Sequence, residues 1–224
     1  MTAFKTLTAN ALLACGAILA VQAQAHATIV DFEDVPAYIE EDFSSNGFDF
    51  VLVGEGATVT PTGSFCGPQC PDNGTKYVVA PGGVDSTLLT MTMTKTGGGL
   101  FGLTSFDGAA SFNFGDGSTF IPNQIDVTGV LAGGGTVYQS FQIDKSTGSS
   151  GGLNFTSYAF SSSFNNLVSV RFSSSGSADP QFDGFSVDNV NATAVTAVPE
   201  AETYAMLLAG LGMMGFVARR RRKA

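Results

Sequence analysis

Tryptophan is absent from this 224-residue chain, and histidine occurs once. With His26 as the only imidazole, Ser/His/Asp and Cys/His nucleophilic arrangements have no base, and zinc sites built on histidine have no ligand set. A glycosidase needs only two carboxylates about 5 to 9.5 Å apart, but no pair of acids stands out, and the chain reads as non-catalytic. Without tryptophan, an aromatic platform for sugar rings falls to tyrosine, with Tyr38, Tyr77, Tyr138 and Tyr158 as candidates. The 19 phenylalanines are explained more simply as core. Cations are also scarce. Between residues 28 and 197 only Lys76, Lys95, Lys145 and Arg171 stand against seventeen carboxylates, a formal charge of −13. That balance disfavours nucleic acid and anionic membranes and suits cations, solubility and a hydrated matrix.

No apolar run reaches the roughly 20 residues of a full membrane span, yet both ends carry short ones. At the start, Lys5 precedes an apolar stretch from Ala11 to Val21, and Ala23-Gln24-Ala25 or Ala25-His26-Ala27 supplies a small-x-small cleavage site. This predicts a helical signal peptide over residues 1–27, using the Sec translocon and signal peptidase. Leu12-Leu13-Ala14-Cys15 is a weak lipoprotein-like box, disfavoured because the apolar run continues past it. At the other end, residues 198–224 begin Val198-Pro199-Glu200, continue through an apolar stretch from Tyr204 to Ala218, and finish with Arg219, Arg220, Arg221, Arg222 and Lys223. As a helix that stretch rises only about 22 Å, so it predicts a short transmembrane helix that serves as a transient stop. The cationic run would remain cytoplasmic and leave the preceding residues on the outer side.

This tail resembles the PEP-CTERM sorting signal of Gram-negative bacteria, in the order of its motif, apolar stretch and Arg cluster. The resemblance implies an exosortase-type membrane protease as partner, and delivery to the cell surface or outside it. One departure is Ala201, where the signal usually has a second proline. Gly210-Leu211-Gly212-Met213-Met214-Gly215 has dinucleotide-loop spacing, but it lies inside the apolar tail with no βαβ unit before it.

Residues 28–197 suffice for one domain with a sizeable core. Strands are predicted at Thr28–Phe32, Phe48–Val53, Lys76–Ala80, Leu88–Lys95, Gly102–Phe106, Ala110–Phe114, Gln124–Leu131, Thr136–Ile143, Asn154–Phe160, Leu167–Ser173 and Phe182–Val190. Ala132-Gly133-Gly134-Gly135 reads as a hairpin turn, and Ser161–Ser163 and Ser173–Ser177 as exposed loops. The spacing predicts an all-β fold, a single jelly-roll-like β-sandwich. Thr90, Thr92, Thr94 and Thr96 alternate with Met91, Met93 and Lys95; a lone rank of this kind is better explained by methionines facing a core than by an ice-binding array.

The domain also resembles the sandwich domains that accompany such tails, in Gly74–Val79, Leu100–Asp107, Val127–Leu131 and Phe185–Val190. Ile29-Val30-Asp31-Phe32-Glu33 and Phe185–Val190 look like the opening and closing strands of Ca²⁺-stabilised jelly-roll carbohydrate-binding modules. That resemblance implies one structural Ca²⁺ shared by an acid near the start and an Asp near the end, here Glu33 and Asp188, with Asp31 behind them. The alternative is that these acids are solvated and alternate with buried Phe32, Phe185 and Val187. Gly115-Asp116-Gly117 and Asp179-Pro180-Gln181 read as plain turns. Cys66 and Cys70 are expected to form a local disulfide, since their spacing is one residue too long for a Cys-x-x-Cys redox pair. The expected role is a sorted, non-catalytic surface or matrix protein associated with exopolysaccharide or biofilm. The alternative is a Ca²⁺-dependent lectin-like module, and further behind stand a glycoside hydrolase and an ice-binding protein.

Overall fold

The computed structural model describes residues 27–39, 42–54, 58–60, 67–80, 89–111, 121–147, 152–179, 183–195, 207–215 and 219. Strands and turns make up one compact unit, Ala25–Val195. Its strands are β1 (Ala27–Val30), β2 (Phe43–Ser45), β3 (Phe48–Val53), β4 (Thr58–Thr60), β5 (Tyr77–Ala80), β6 (Thr90–Lys95), β7 (Leu100–Ala110), β8 (Gln124–Leu131), β9 (Thr136–Gln142), β10 (Thr156–Ala159), β11 (Leu167–Ser175) and β12 (Phe185–Val195). A 3-10 turn covers Gly67–Gln69.

Among the described residues every strand pairing is antiparallel, and the strands join one curled sheet. The curl makes two leaves. One runs β2-β3-β6-β11-β8-β9, and the other carries β10, β7 and β12, with β5 and β1 along the far side of β12 and β4 beyond β5. They meet at a single paired position, Leu167 opposite Phe101, beside a register shift between Leu167 and Ser169. This is the all-β, sandwich-like architecture that short alternating strands predict.

Alternation decides which side chains the leaves enclose. Phe48 and Phe50, Met91 and Met93, Ile125 and Val127, and Val170 and Phe172 point inward from the first leaf. Val78 and Ala80, Phe101 and Phe106, and Phe185 and Val187 point inward from the second. Phe106 is the aromatic hub, with ring centroids of Phe141, Tyr158, Phe160 and Phe172 at 5.1, 5.3, 5.4 and 5.4 Å. Met91 and Met93 are fully buried while Thr90, Thr92 and Thr94 are half-exposed on the other side, so the Thr alternation is that of a core strand.

Several boundaries differ from expectation. The opening strand stops at Val30, because Phe32 turns into the left-handed region (φ 56°) and drives its ring into the core beside Phe50. Gly102–Phe106 and Ala110 belong to one long strand, β7, and residues 112–114 lie outside the described residues. Ser173–Ser175 finish β11 and are not loop, whereas Ser161, Ser162 and Ser163 are exposed as expected. β12 continues past Val190 to Val195. The short strands β2 and β4 were not anticipated. Asn46 and Gly47, at φ 50° and 84°, close the β2–β3 hairpin as a two-residue turn of the type Asn-Gly favours. Residues 132–135 join β8 to β9, with the Leu131 N–H donating to Gly135 O at 3.1 Å.

In the tail, residues 207–215 are helical. No helix among the described residues is long and apolar enough to cross a membrane.

Candidate functional site

Two places carry the residues of interest: the outer face of the first leaf, and the junction of the opening turn with β12.

On the outer face, register aligns side chains into ranks. Val51, Thr92, Arg171, Thr128 and Tyr138 lie side by side across β3, β6, β11, β8 and β9. A parallel rank holds Asp49, Thr94, Ser169, Val130 and Thr136. Tyr138 is 59% exposed. Its hydroxyl donates to Asp126 Oδ1 at 2.5 Å, on the neighbouring strand and two residues off the direct opposite. The phenol thus reaches a diagonal neighbour across the pleat while more than half of the residue stays exposed. The bond to Asp126 raises the Tyr138 hydroxyl above its usual range. Asp126 also accepts from Gln124 Nε2 at 2.8 Å and Ser175 Oγ at 2.6 Å. Its oxygens are therefore engaged, and Arg171 is exposed with no hydrogen bond or ion pair among the described residues. Two strand spacings, about 9.6 Å, separate the Tyr138 and Arg171 strands.

The other tyrosines divide. Tyr38 is 56% exposed at φ 63°. Tyr77 is fully buried, donates to Pro71 O at 2.8 Å and packs its ring on Phe155. Burial, followed by the charge of Asp72, pushes its hydroxyl far up. Tyr158 is half-buried against Phe106 and donates to Gln142 O. Neither buried ring is available as a sugar platform. Sequence candidates for that role could be sorted only once strand register was known.

At the junction, Asp188 is fully buried on β12, opposite Asp107 on β7. The expectation of a solvated carboxylate fails for it. Asp188 Oδ1 accepts from the Asn189 N–H at 2.7 Å, and Oδ2 accepts from Asn73 Nδ2 at 2.6 Å, Thr75 Oγ1 at 2.9 Å and Asn189 Nδ2 at 3.4 Å. Asn189 sits at φ 49° within a register shift, the bulge geometry that aims a side chain off its regular face. Its amide also donates to Asp107 Oδ2 at 2.9 Å and so bridges the two carboxylates. Desolvation is the main cause that raises the Asp188 carboxyl to about 6, the Asp107 charge adds to it, and the hydrogen bonds oppose it.

Glu33 is exposed. Its Oε1 accepts the Lys76 N–H at 2.7 Å, and the Lys76 ammonium donates to the carbonyls of Glu33 at 2.8 Å and Val35 at 2.9 Å. Next door, burial pushes the Asp34 carboxyl up, but bonds from Ser45 and Asn46 and the Lys76 charge outweigh it and leave it below its ordinary value. Asp31 accepts from Asn46 Nδ2 at 3.0 Å. The segment Asn73–Lys76 thus holds both expected calcium ligands, one at each end.

That arrangement does not fit a Ca²⁺ ion, which takes six to eight oxygens. Three donors crowd Asp188 Oδ2 and one main-chain N–H sits on Oδ1, so the carboxylate is already engaged by neutral donors. The main-chain oxygens beside Glu33 already receive an ammonium. No group of three or more His, Cys, Asp or Glu that could hold a metal occurs among the described residues.

Of the remaining expected residues, Cys70 is buried and disulfide-bonded, and Cys66 lies outside the described residues. Val198, Pro199, Glu200, Arg220, Arg221 and Arg222 also lie outside them, while Arg219 is helical and exposed.

The β-rich fold has similar solved structures at low identity. A family 29 carbohydrate-binding module from Piromyces equi matches 82% of this chain and 99% of its own at 11% identity and TM-score 0.41. A DUF4465 family protein from Bacteroides caccae matches 76% and 100% at 15% identity and TM-score 0.47. A tandem family 22 carbohydrate-binding module from Paenibacillus barcinonensis matches 80% and 49% at 14% identity and TM-score 0.41. No curated protein is significantly similar to the chain. The class its own strands define is all-β. Residues 197–222 match the family model described as the PEP-CTERM protein-sorting motif. The chain carries a PEP-CTERM tail, which implies export.

Proposed function

We propose that this is an exported, non-catalytic surface or matrix protein that holds exopolysaccharide on the outer face of β3-β6-β11-β8-β9. The Sec translocon and signal peptidase would export it, and an exosortase-type protease would act at Val198-Pro199-Glu200, with Arg219–Arg222 as the cytoplasmic stop. The observation that carries the glycan reading is one rank on an open sheet, in which the exposed Tyr138 ring and the Arg171 guanidinium, free among the described residues, stand two strand spacings apart with only β8 between them. A flat ring stacks on the apolar face of a pyranose, and a guanidinium and threonine hydroxyls bond to sugar oxygens. The charge of −13 between residues 28 and 197 opposes a polyanion, so the fitting glycan is hydroxyl-rich and weakly charged.

The test is retention of the exported protein on the producing organism's purified exopolysaccharide at low and high salt. Retention insensitive to salt is expected. Tyr138→Ala should weaken it several-fold and Arg171→Gln about tenfold. No retention in either salt refutes the glycan reading. Mass spectrometry of the surface-recovered protein tests sorting separately, because an intact C-terminal Arg run would refute processing.

A further inference from the structure

We infer that the Lys76 ammonium is the built-in cation of this domain, seated where the jelly-roll resemblance calls for Ca²⁺, so that the fold is held by a side chain in place of a metal. The inference is independent of glycan binding on the outer face.

The oxygens at the opening turn form a small cage. The Val35 N–H donates to Phe32 O at 3.2 Å, closing a turn whose Glu33 and Val35 carbonyls both point at the Lys76 ammonium. Lys76 also engages the Glu33 carboxylate through its own N–H, so one residue serves three oxygens of a segment 41 to 43 positions earlier. It is half-buried, and the next residue, Tyr77, is fully buried at the start of β5. The ammonium is therefore held one residue before β5, where the following side chain is anchored in the core.

The same segment finishes the job on the other side. Asn73 Nδ2 donates to Asp188, the single Thr75 hydroxyl proton is shared between Asp188 Oδ2 at 2.9 Å and Asn73 Oδ1 at 2.8 Å, and the turn is fixed by the Thr75 N–H donating to Asn73 Oδ1 at 3.2 Å. A shared metal would tie the opening turn to β12 through Glu33 and Asp188 directly. Here the tie runs from the turn through Lys76, along Asn73–Lys76, to Asp188. A Ca²⁺ ion placed at the opening turn would have to displace the ammonium, and one placed at Asp188 would have to displace N–H and O–H donors.

The test is thermal unfolding of the full chain in mild detergent, with excess CaCl₂ and with EDTA, alongside calorimetric titration with CaCl₂. The wild-type melting temperature should be the same in both, with no stoichiometric Ca²⁺ binding. Lys76→Met keeps much of the stem and deletes the charge, and loss of two charge-assisted bonds should lower the melting temperature by roughly 5 to 15 °C. Calcium should raise the melting temperature of Lys76→Met more than that of wild type, since the emptied cage offers oxygens to a cation. Should Lys76→Met fail to fold, Glu33→Gln decides: it keeps an acceptor for the Lys76 N–H and is expected to melt close to wild type in both conditions. A wild type that melts lower in EDTA, binds Ca²⁺ stoichiometrically, or tolerates Lys76→Met without loss overturns the inference. So does an equal calcium effect on wild type and Lys76→Met.

Discussion

Asp188 should make the domain more stable in mild acid than at neutral pH. Its carboxyl stands at about 6 in the fold against the ordinary 3.8 of an aspartate, so the native state holds a proton more tightly than the unfolded chain. The stabilisation is fully present below about 3.8 and is lost as pH rises through about 6. A gap near two pKa units corresponds to about 3 kcal/mol, or roughly 6 to 12 °C in melting temperature for a domain of this size. Asp183, raised mainly by burial, acts in the same direction. Asp34, Asp49 and Asp144 are lowered by their hydrogen bonds and favour the native state above the ordinary carboxylate range, so their contributions fade as pH falls through and below 3.8. The expected profile therefore climbs from pH 7 to about pH 4.5 and turns down in stronger acid. Thermal unfolding followed by circular dichroism across that range reads it directly. Asp188→Asn keeps the shape and cannot titrate, so it should flatten the climb. A wild-type melting temperature that falls steadily from pH 7, or an Asp188→Asn protein with an unchanged slope, would refute the reasoning.

Phe106→Ala should cost about 3 to 5 kcal/mol, because it removes the ring that four other aromatics pack against, and chemical denaturation measures it. Ser186 is fully buried, and its hydroxyl has no hydrogen-bond partner among the described residues. Ser186→Ala should therefore be neutral or stabilise by about 1 kcal/mol, and a marked loss in the same denaturation assay would show that the hydroxyl has a partner in solution.

The leaves were legible in the sequence wherever polar and apolar residues alternate in β-branched and aromatic runs, as in β3, β6, β8 and β11. Met91 and Met93 declare their face through the threonines between them. Strands as short as β2 and β4 lack the length for a pattern, although Asn46-Gly47 was a usable hairpin signal for the first. Phe32 broke its expected strand because a left-handed turn buries its ring, and a period-two reading cannot foresee a reversal at one residue. At the candidate sites, Tyr138 and Asp188 could be named beforehand, but not their surroundings. Arg171 joins Tyr138 only through the register of β11, β8 and β9, and Lys76 reaches Glu33 across 43 positions of chain. Such contacts are properties of topology, which local pattern does not encode.

The placement of β12 has a mechanical meaning. It pairs with β7 from Phe185 to Val195, with β5 along its first part and with β1 along its second, and the sorting tail continues from its end. Tension arriving through the end of the domain left after processing would enter along the axis of that strand and load its ladders in shear, with many hydrogen bonds resisting together instead of opening one by one. A polymer gripped on β8, β9 and β11 would pull on the opposite leaf, so the load would pass through the interlocked aromatic core more than through the lone Leu167–Phe101 pairing.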